Sequence, residues 1–124
     1  MKLLTVLKAR NALPLDIRDA DIQVKYKVAK FMRETAGDVE FYSSELAKIV
    51  DECAQRDQNG AIAIADSGDI IIADNMRDIF SQRSVALENT EVDCTCFSLS
   101  LDEAATLGLS IRNIIDLDSF IKTE

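Results

Sequence analysis

The sequence predicts an α+β fold that is mainly α, and three observations support this fold class. From about Asp19 or Asp21 to Arg56 there is no proline, and residues that favour helices are frequent. Two runs of isoleucine and alanine flank a short polar loop at 66–69, the pattern of a β-hairpin. Ser100-Leu101-Asp102-Glu103 matches a capping box, which marks the start of a helix. With 124 residues, we expect a single domain.

The first half of the chain is predicted to hold two helices. The first covers Leu3–Ala12 and stops before Pro14, because the residue that precedes a proline is pushed out of the helical region. A short linker leads to one long helix at about 19–56. It ends at the turn 57–60, where Asn and Gly tolerate a positive φ.

The second half alternates strands and short helices. A β-hairpin is predicted at 61–73, and a three-residue loop would place four isoleucines on one face: Ile62, Ile64, Ile70 and Ile72. A helix follows at 75–88, and a third strand at 91–97 has the alternation of a half-buried strand. Short helices are predicted at 101–107 and 110–116, since Gly108 stops the first and Ser110 caps the second. No internal repeat is evident.

The long helix carries a heptad seam, because apolar and small side chains recur at alternating steps of four and three. Gly37 and Asp38 could interrupt the helix, but the seam keeps its register across them, so we predict one continuous helix. The seam could pack within the chain or form a coiled coil between chains. We predict an interface between copies, and hence a homo-oligomer, through six residues: Val28, Met32, Val39, Tyr42, Leu46 and Ile49.

Charge and hydropathy narrow the classes of partner. The net charge is −8, and residues 61–124 carry twelve acidic but only four basic side chains. An acidic surface repels phosphate backbones, so we expect no nucleic-acid partner. No segment has the ~20 apolar residues of a membrane span, and Lys8 and Arg10 interrupt the apolar amino terminus before it reaches the length of a signal peptide. We therefore expect protein partners and no membrane partner.

The composition also argues against catalysis. The chain has no histidine, which is the usual general base near neutral pH and the commonest metal ligand. Asp66 and Asp69 flank a turn, where aspartate is favoured for turn chemistry. We predict no catalytic, cofactor-binding or metal-binding residues.

The cysteines and one acidic turn are the candidate metal ligands of this sequence. Cys94 and Cys96 alternate on a predicted strand, which favours small core residues over half of a zinc site, since Cys53 is the only other thiol. The turn around Asp57 resembles a calcium loop, but it has Gln55 at its first position and Asp66 in place of the bidentate Glu at its twelfth.

The order of features resembles a known group of proteins. The long helix contains Glu40-Phe41-Tyr42, an Asp-Gln-Asn-Gly turn follows at 57–60, and the isoleucine-rich hairpin and the segments 91–93 and 107–110 come next. This pattern is similar to small uncharacterised proteins encoded in tailed phages and prophages of Gram-positive bacteria. The resemblance implies a phage origin and supplies no active-site residues.

These observations together predict a non-enzymatic protein-interaction protein, accessory to virion or tail assembly. It would be located in the cytoplasm of the host bacterium or on the virion. A phage anti-defence protein that inhibits a host factor or sequesters a signalling nucleotide is the alternative, and a small enzyme is the third interpretation.

Overall fold

The computed structural model of this chain describes residues 1–14, 17, 20–93 and 97–122. Within these residues the protein is mainly helical with a small parallel sheet, which confirms the predicted fold class. The helices are α1 (Leu3–Ala12), α2 (Ile22–Glu34), α3 (Ala36–Cys53), α4 (Arg77–Glu88), α5 (Leu101–Thr106) and α6 (Ile111–Asp116). The strands are β1 (Leu99–Ser100) and β2 (Ile121–Lys122), and 3-10 turns cover Asp74–Met76 and Asp118–Phe120.

Polar side chains cap the amino-terminal ends of α2, α5 and α6. The Asp21 carboxylate accepts a hydrogen bond from the backbone N–H of Gln23, 3.4 Å away, at the start of α2. At the start of α5, Ser100 and Glu103 form both hydrogen bonds of the capping box. Ser110 caps α6 by accepting from the backbone N–H of Asn113 at 3.2 Å. Each cap satisfies an N–H that has no partner inside its own helix.

The long helix predicted at 19–56 is wrong as a single element, because it is divided at Thr35. There φ is −97° and ψ is 1°, outside the helical region, so α2 ends at Glu34 and α3 begins at Ala36. The Thr35 side chain is buried, and its hydroxyl donates to the backbone oxygen of Phe31 at 2.7 Å. The Arg10 guanidinium donates to the Thr35 hydroxyl at 2.6 Å. Apolar periodicity does not report hydrogen bonds of this kind, which explains the error.

The chain forms two compact units, which we call unit 1 (Met1–Val39 with Glu91–Glu124) and unit 2 (Glu40–Thr90). The core of unit 1 joins α1 and α2 to the carboxyl-terminal elements. Phe31 stacks on Phe97 with ring centroids 4.4 Å apart, and Phe120 meets Phe31 edge-on at 5.4 Å. Strands β1 and β2 pair in parallel, with Leu99 opposite Ile121. The buried cluster consists of Val6, Ala9, Ala12, Leu13, Ala20, Val24, Val28, Phe31, Leu99, Leu107, Leu117 and Phe120.

Unit 2 contains a ring of three short segments, 54–56, 62–64 and 70–72. Antiparallel bridges join each segment to the other two: Arg56 with Ile62, Ile64 with Ile70, and Ala54 with Ile72. The three central residues, eight apart in sequence, also form a closed cycle of backbone hydrogen bonds. Ala63 donates to Gln55 at 2.8 Å, Ile71 to Ala63 at 3.0 Å, and Gln55 to Ile71 at 2.8 Å.

This ring changes two expectations from the sequence. The segments form an eight-residue structural repeat where no repeat was expected. Isoleucine recurs eight residues apart only in the second and third segments, whereas the first segment is Ala54-Gln55-Arg56. The hairpin at 61–73 has the expected three-residue loop, with Ile64 opposite Ile70, and Gly68 adopts a φ of +89°. A single bridge joins the two strands of this hairpin, because segment 62–64 also pairs with segment 54–56.

The remaining predicted elements differ from the structure in small ways. The helix predicted at 75–88 begins as the 3-10 turn and becomes α-helical at Arg77. In the predicted strand 91–97, Glu91 forms a bridge with Lys2, while residues 94–96 lie outside the described residues. Strands β1 and β2 were not expected, because two residues are too few to show an alternation.

Candidate interaction surfaces

The acidic side chains considered as ligands or catalysts take part in turns. The Asp57 carboxylate accepts from the backbone N–H groups of Asn59 at 2.8 Å and Ala61 at 3.0 Å. The Ser67 hydroxyl donates to the Asp69 carboxylate at 3.1 Å across the hairpin loop. These bonds hold the two turns in shape, which is the usual role of aspartate there.

The described residues show neither a cluster of metal ligands nor a membrane-spanning helix. Over residues 1–14, 17, 20–93 and 97–122, no three side chains of the metal-binding types come close enough together to hold an ion. Cys53 is fully buried, and Cys94 and Cys96 lie outside the described residues. None of the helices in the described part of the chain combines the length and apolar character of a membrane span.

The six residues of the predicted interface are divided between the two units. In unit 1, Val28 is buried in the core, and Met32 packs against that core. Val39 lines a hollow of about 360 Å³ with Leu7, Arg10, Asn11, Leu13 and Met32. In unit 2, Tyr42 and Leu46 are half-buried and Ile49 is buried. The turn at Thr35 therefore places Val28 and Met32 on α2 and the other four residues on α3, and only Val39 of these four lies close to Met32.

Unit 2 exposes more large apolar side chains than it buries. Its buried residues are Ile49, Cys53, Ala54 and Leu87, of which only the isoleucine and the leucine are large. The exposed large residues are Phe41, Ile64, Ile70, Ile79 and Val85. Ile64 and Ile70 are directly opposite each other across the hairpin, so they form a continuous apolar patch.

Unit 1 has a different kind of surface, a groove of about 530 Å³ along α2, which we call the α2 groove. Phe31 and Phe97, which stack on each other, contribute apolar surface to its lining. Ile22 and Tyr26 also line it and are mostly exposed, at 74% and 61%. The polar lining residues are Gln23, Lys27, Lys30 and Glu34.

Ion pairs border the α2 groove. The Lys27 ammonium lies 2.8 Å from the Glu103 carboxylate, which also accepts from the backbone N–H of Ser100 at 3.0 Å. Lys27, followed by the Ser100 N–H, holds the pKa of Glu103 below its usual value of 4.5, because both favour the ionised carboxylate. Lys30 and Glu34 lie 3.9 Å apart, one turn from each other on α2.

The sequence contains a local signal for this groove. Ile22 and Tyr26 lie four residues apart on the side of α2 that carries Lys30, which marks a second apolar stripe. The contribution of Phe97 could not be predicted, because it comes from a segment distant in sequence.

Comparisons of the chain with protein-family models, with curated proteins and with solved structures gave no match.

Proposed function

We propose that this protein is a non-enzymatic protein-interaction protein that self-associates through unit 2. The supporting observation is the excess of exposed over buried large apolar side chains in that unit. Complete burial of one isoleucine is worth about 1.5–3 kcal/mol, so covering several of them provides a strong drive for association. Scattered apolar side chains are normal on a protein surface, whereas the adjacent pair Ile64 and Ile70 forms a patch.

The half-buried seam residues of α3 extend this proposal. Tyr42 and Leu46 lie four residues apart on one face of α3, and Ile49 continues that face. A second α3 packed against this face would cover the exposed parts of Tyr42 and Leu46. Our proposal therefore keeps the predicted coiled-coil contact, but only for the seam residues that belong to unit 2.

We further propose that the assembly serves a phage, as an accessory factor in building the virion or its tail. The support is the resemblance of the sequence pattern to small phage and prophage proteins, together with a surface suited to self-association. The protein would then work by contact, in the host bacterial cytoplasm or on the virion.

Light scattering coupled to gel filtration tests self-association. The wild-type protein should have a mass well above 13.7 kDa at high micromolar concentration. Replacing the exposed pair, Ile64→Thr with Ile70→Thr, should reduce that mass, because threonine keeps the β-branched shape and removes apolar area. Leu46→Asp should have the same effect by placing a carboxylate in the contact.

A matched control separates association from folding. Ser44→Asp adds the same charge to the exposed side of α3, about half a turn from Leu46, and should leave the mass unchanged. Circular dichroism should show that all variants keep their helical content. A wild-type protein that remains at 13.7 kDa throughout this concentration range would contradict the proposed function.

A further inference from the structure

We propose that the contact of Arg10 with Thr35 is an autoinhibitory restraint, which keeps α2 and α3 as separate helices and thereby weakens association between copies of the chain. This inference rests on the proposed function and deepens it by naming what controls the contact through α3. Release of the restraint would join α2 and α3 into one continuous helix. Arg10 and Thr35 both belong to unit 1.

The backbone at the turn lacks a hydrogen bond that a continuous helix would form. In an α-helix each N–H donates to the carbonyl four residues earlier, so Ala36 would donate to Met32. Over the described residues, the Ala36 N–H donates to no other group. The Asp38 N–H donates to the backbone oxygen of Thr35 at 3.1 Å, three residues back instead of four. The turn therefore leaves backbone groups without their helical partners.

Arg10 supplies the hydrogen bonds that hold this turn. Its Nη1 donates at 2.7 Å to the backbone oxygen of Met32, the acceptor that Ala36 would use in a continuous helix. The same nitrogen donates to the Thr35 hydroxyl at 2.6 Å, and that hydroxyl donates to the backbone oxygen of Phe31 at 2.7 Å. Charged donors form strong hydrogen bonds, and a cation is favoured at the carboxyl end of a helix. Arg10 therefore stabilises the carboxyl end of α2.

The local sequence favours the continuous helix instead. Thr35, Val39 and Tyr42 keep the spacing of the heptad seam across the turn, and residues 22–53 contain no proline. Gly37 lies within α3 even when the helices are separate, so it does not account for the turn. A helix-favouring sequence that one tertiary contact divides has two competing arrangements, and the contact decides between them.

The restraint also withholds one residue from the proposed contact. Val39 lies on the same face of α3 as Tyr42 and Leu46, but it lines a hollow together with Leu7 and Leu13. Because α1 and its end lie beside Val39, a second α3 could not pack along the whole face while the turn persists. A continuous helix would give the start of α3 a new direction, which would move Val39 away from α1.

Straightening of the helix and association of copies would therefore be coupled. When the form that binds is scarcely populated, the apparent affinity falls in proportion to its population. Copies in which Arg10 holds the turn would pair weakly, and pairing would shift them to the continuous helix. Such a restraint would delay assembly until the concentration of copies is high, which suits an accessory assembly factor.

Arg10→Met tests the restraint, because methionine keeps an unbranched chain and removes the hydrogen-bond donors. Lys8→Met, on the exposed side of α1, is the matched control, since it removes the same charge. Amide hydrogen exchange at Ala36, followed by NMR in the Ile64→Thr and Ile70→Thr background, reports on the turn while association is reduced. Sedimentation velocity with both isoleucines intact measures the apparent dissociation constant.

Arg10→Met should slow the exchange of the Ala36 amide, because this N–H then donates to Met32. Loss of a hydrogen bond from a charged donor changes an equilibrium constant by about tenfold or more, so the apparent dissociation constant should fall by about tenfold. Lys8→Met should leave both values close to those of the parent. If Arg10→Met does not fold, Thr35→Val removes only the hydroxyl acceptor and should shift both values in the same direction.

Two outcomes would overturn the inference. Fast exchange at Ala36 in Arg10→Met would show that the turn persists without the restraint. Slow exchange with an unchanged dissociation constant would show that the turn does not control association. In both cases a wild-type protein that associates leaves the proposed function intact. If the wild-type protein and Arg10→Met both remain monomeric at every concentration, the proposed function itself is refuted, whatever the exchange at Ala36.

Discussion

Single residues join elements that are distant in sequence, and Glu103 shows how. Its carboxylate completes the capping box of α5 and pairs with Lys27 on α2. The capping box was recognisable in the sequence from the spacing of Ser100 and Glu103. The ion pair was not, because 76 residues separate Lys27 from Glu103 and only the tertiary fold brings them together.

The ion pair predicts how stability depends on pH. Because the pKa of Glu103 is lowered in the folded protein, its charge stabilises the fold above the ordinary value of 4.5. This contribution is lost as the pH falls through the lowered pKa. The Lys27 side chain is 42% exposed, so solvent screening limits the gain at neutral pH to at most about 1 kcal/mol.

Glu103→Gln should therefore lower the free energy of unfolding at pH 7 by up to about 1 kcal/mol, and by progressively less as the pH falls below 4.5. Glutamine can still form the capping box, so the change isolates the charge. Urea unfolding in a Tyr42→Phe background leaves Tyr26 as the one tyrosine, and its fluorescence reports on unit 1. Asp102→Asn, in the same turn, is the control. If Glu103→Gln lowered the free energy of unfolding by the same amount at every pH, the result would contradict the prediction.

At the level of elements, the parts of the fold that follow from local chemistry could be predicted from the sequence. Helix α1 has the predicted bounds, and α5 and α6 lie within a residue of theirs, because Pro14, Ser100, Gly108 and Ser110 act locally. The division at Thr35 could not be predicted, since it depends on Arg10 reaching from another helix. The ring in unit 2 was also missed, because its third segment, 54–56, was assigned to the predicted long helix.

The candidate surfaces also differ in whether they depend on local sequence or on tertiary contacts. The exposed pair Ile64 and Ile70 was visible in the alternation of the hairpin, and the unit 2 part of the seam was visible in the heptads. The α2 groove depends on Phe97 stacking against Phe31, a contact across 66 positions. Local periodicity carries no information about such a contact.

Two glycines should respond in opposite ways to replacement by alanine. Gly68 has a φ of +89° in the hairpin loop, so Gly68→Ala should destabilise unit 2 by about 1–2 kcal/mol, the cost of a left-handed conformation for an L-residue. Gly37 lies in α3 with no atom within 4 Å of an added Cβ. Gly37→Ala should stabilise the protein by up to about 1 kcal/mol, because alanine favours helices.

Thermal unfolding followed by circular dichroism measures both glycine effects. Gly68→Asn is the matched control, since asparagine tolerates a positive φ and should lose less stability than alanine. An equal loss for Gly68→Ala and Gly68→Asn would show that the backbone conformation of the loop is not the cause. A loss of stability for Gly37→Ala would show that the start of α3 needs the glycine.

At the scale of the whole molecule, charge is distributed unequally between the two units. Unit 2 has ten acidic and four basic side chains, so it carries −6 of the net charge of −8. Copies that meet through unit 2 therefore bring like charges together, and salt should screen the repulsion between them.

Raising the ionic strength should therefore strengthen association through unit 2. At 0.1 M the Debye length is about 10 Å, so screening acts over the distances between exposed charges at this contact. Sedimentation velocity of the wild-type protein over a range of salt concentrations measures the effect, and the variant Ile64→Thr with Ile70→Thr, in which the contact is weakened, is the control. A wild-type mass that falls as salt is added would show that repulsion between the acidic units does not oppose their association.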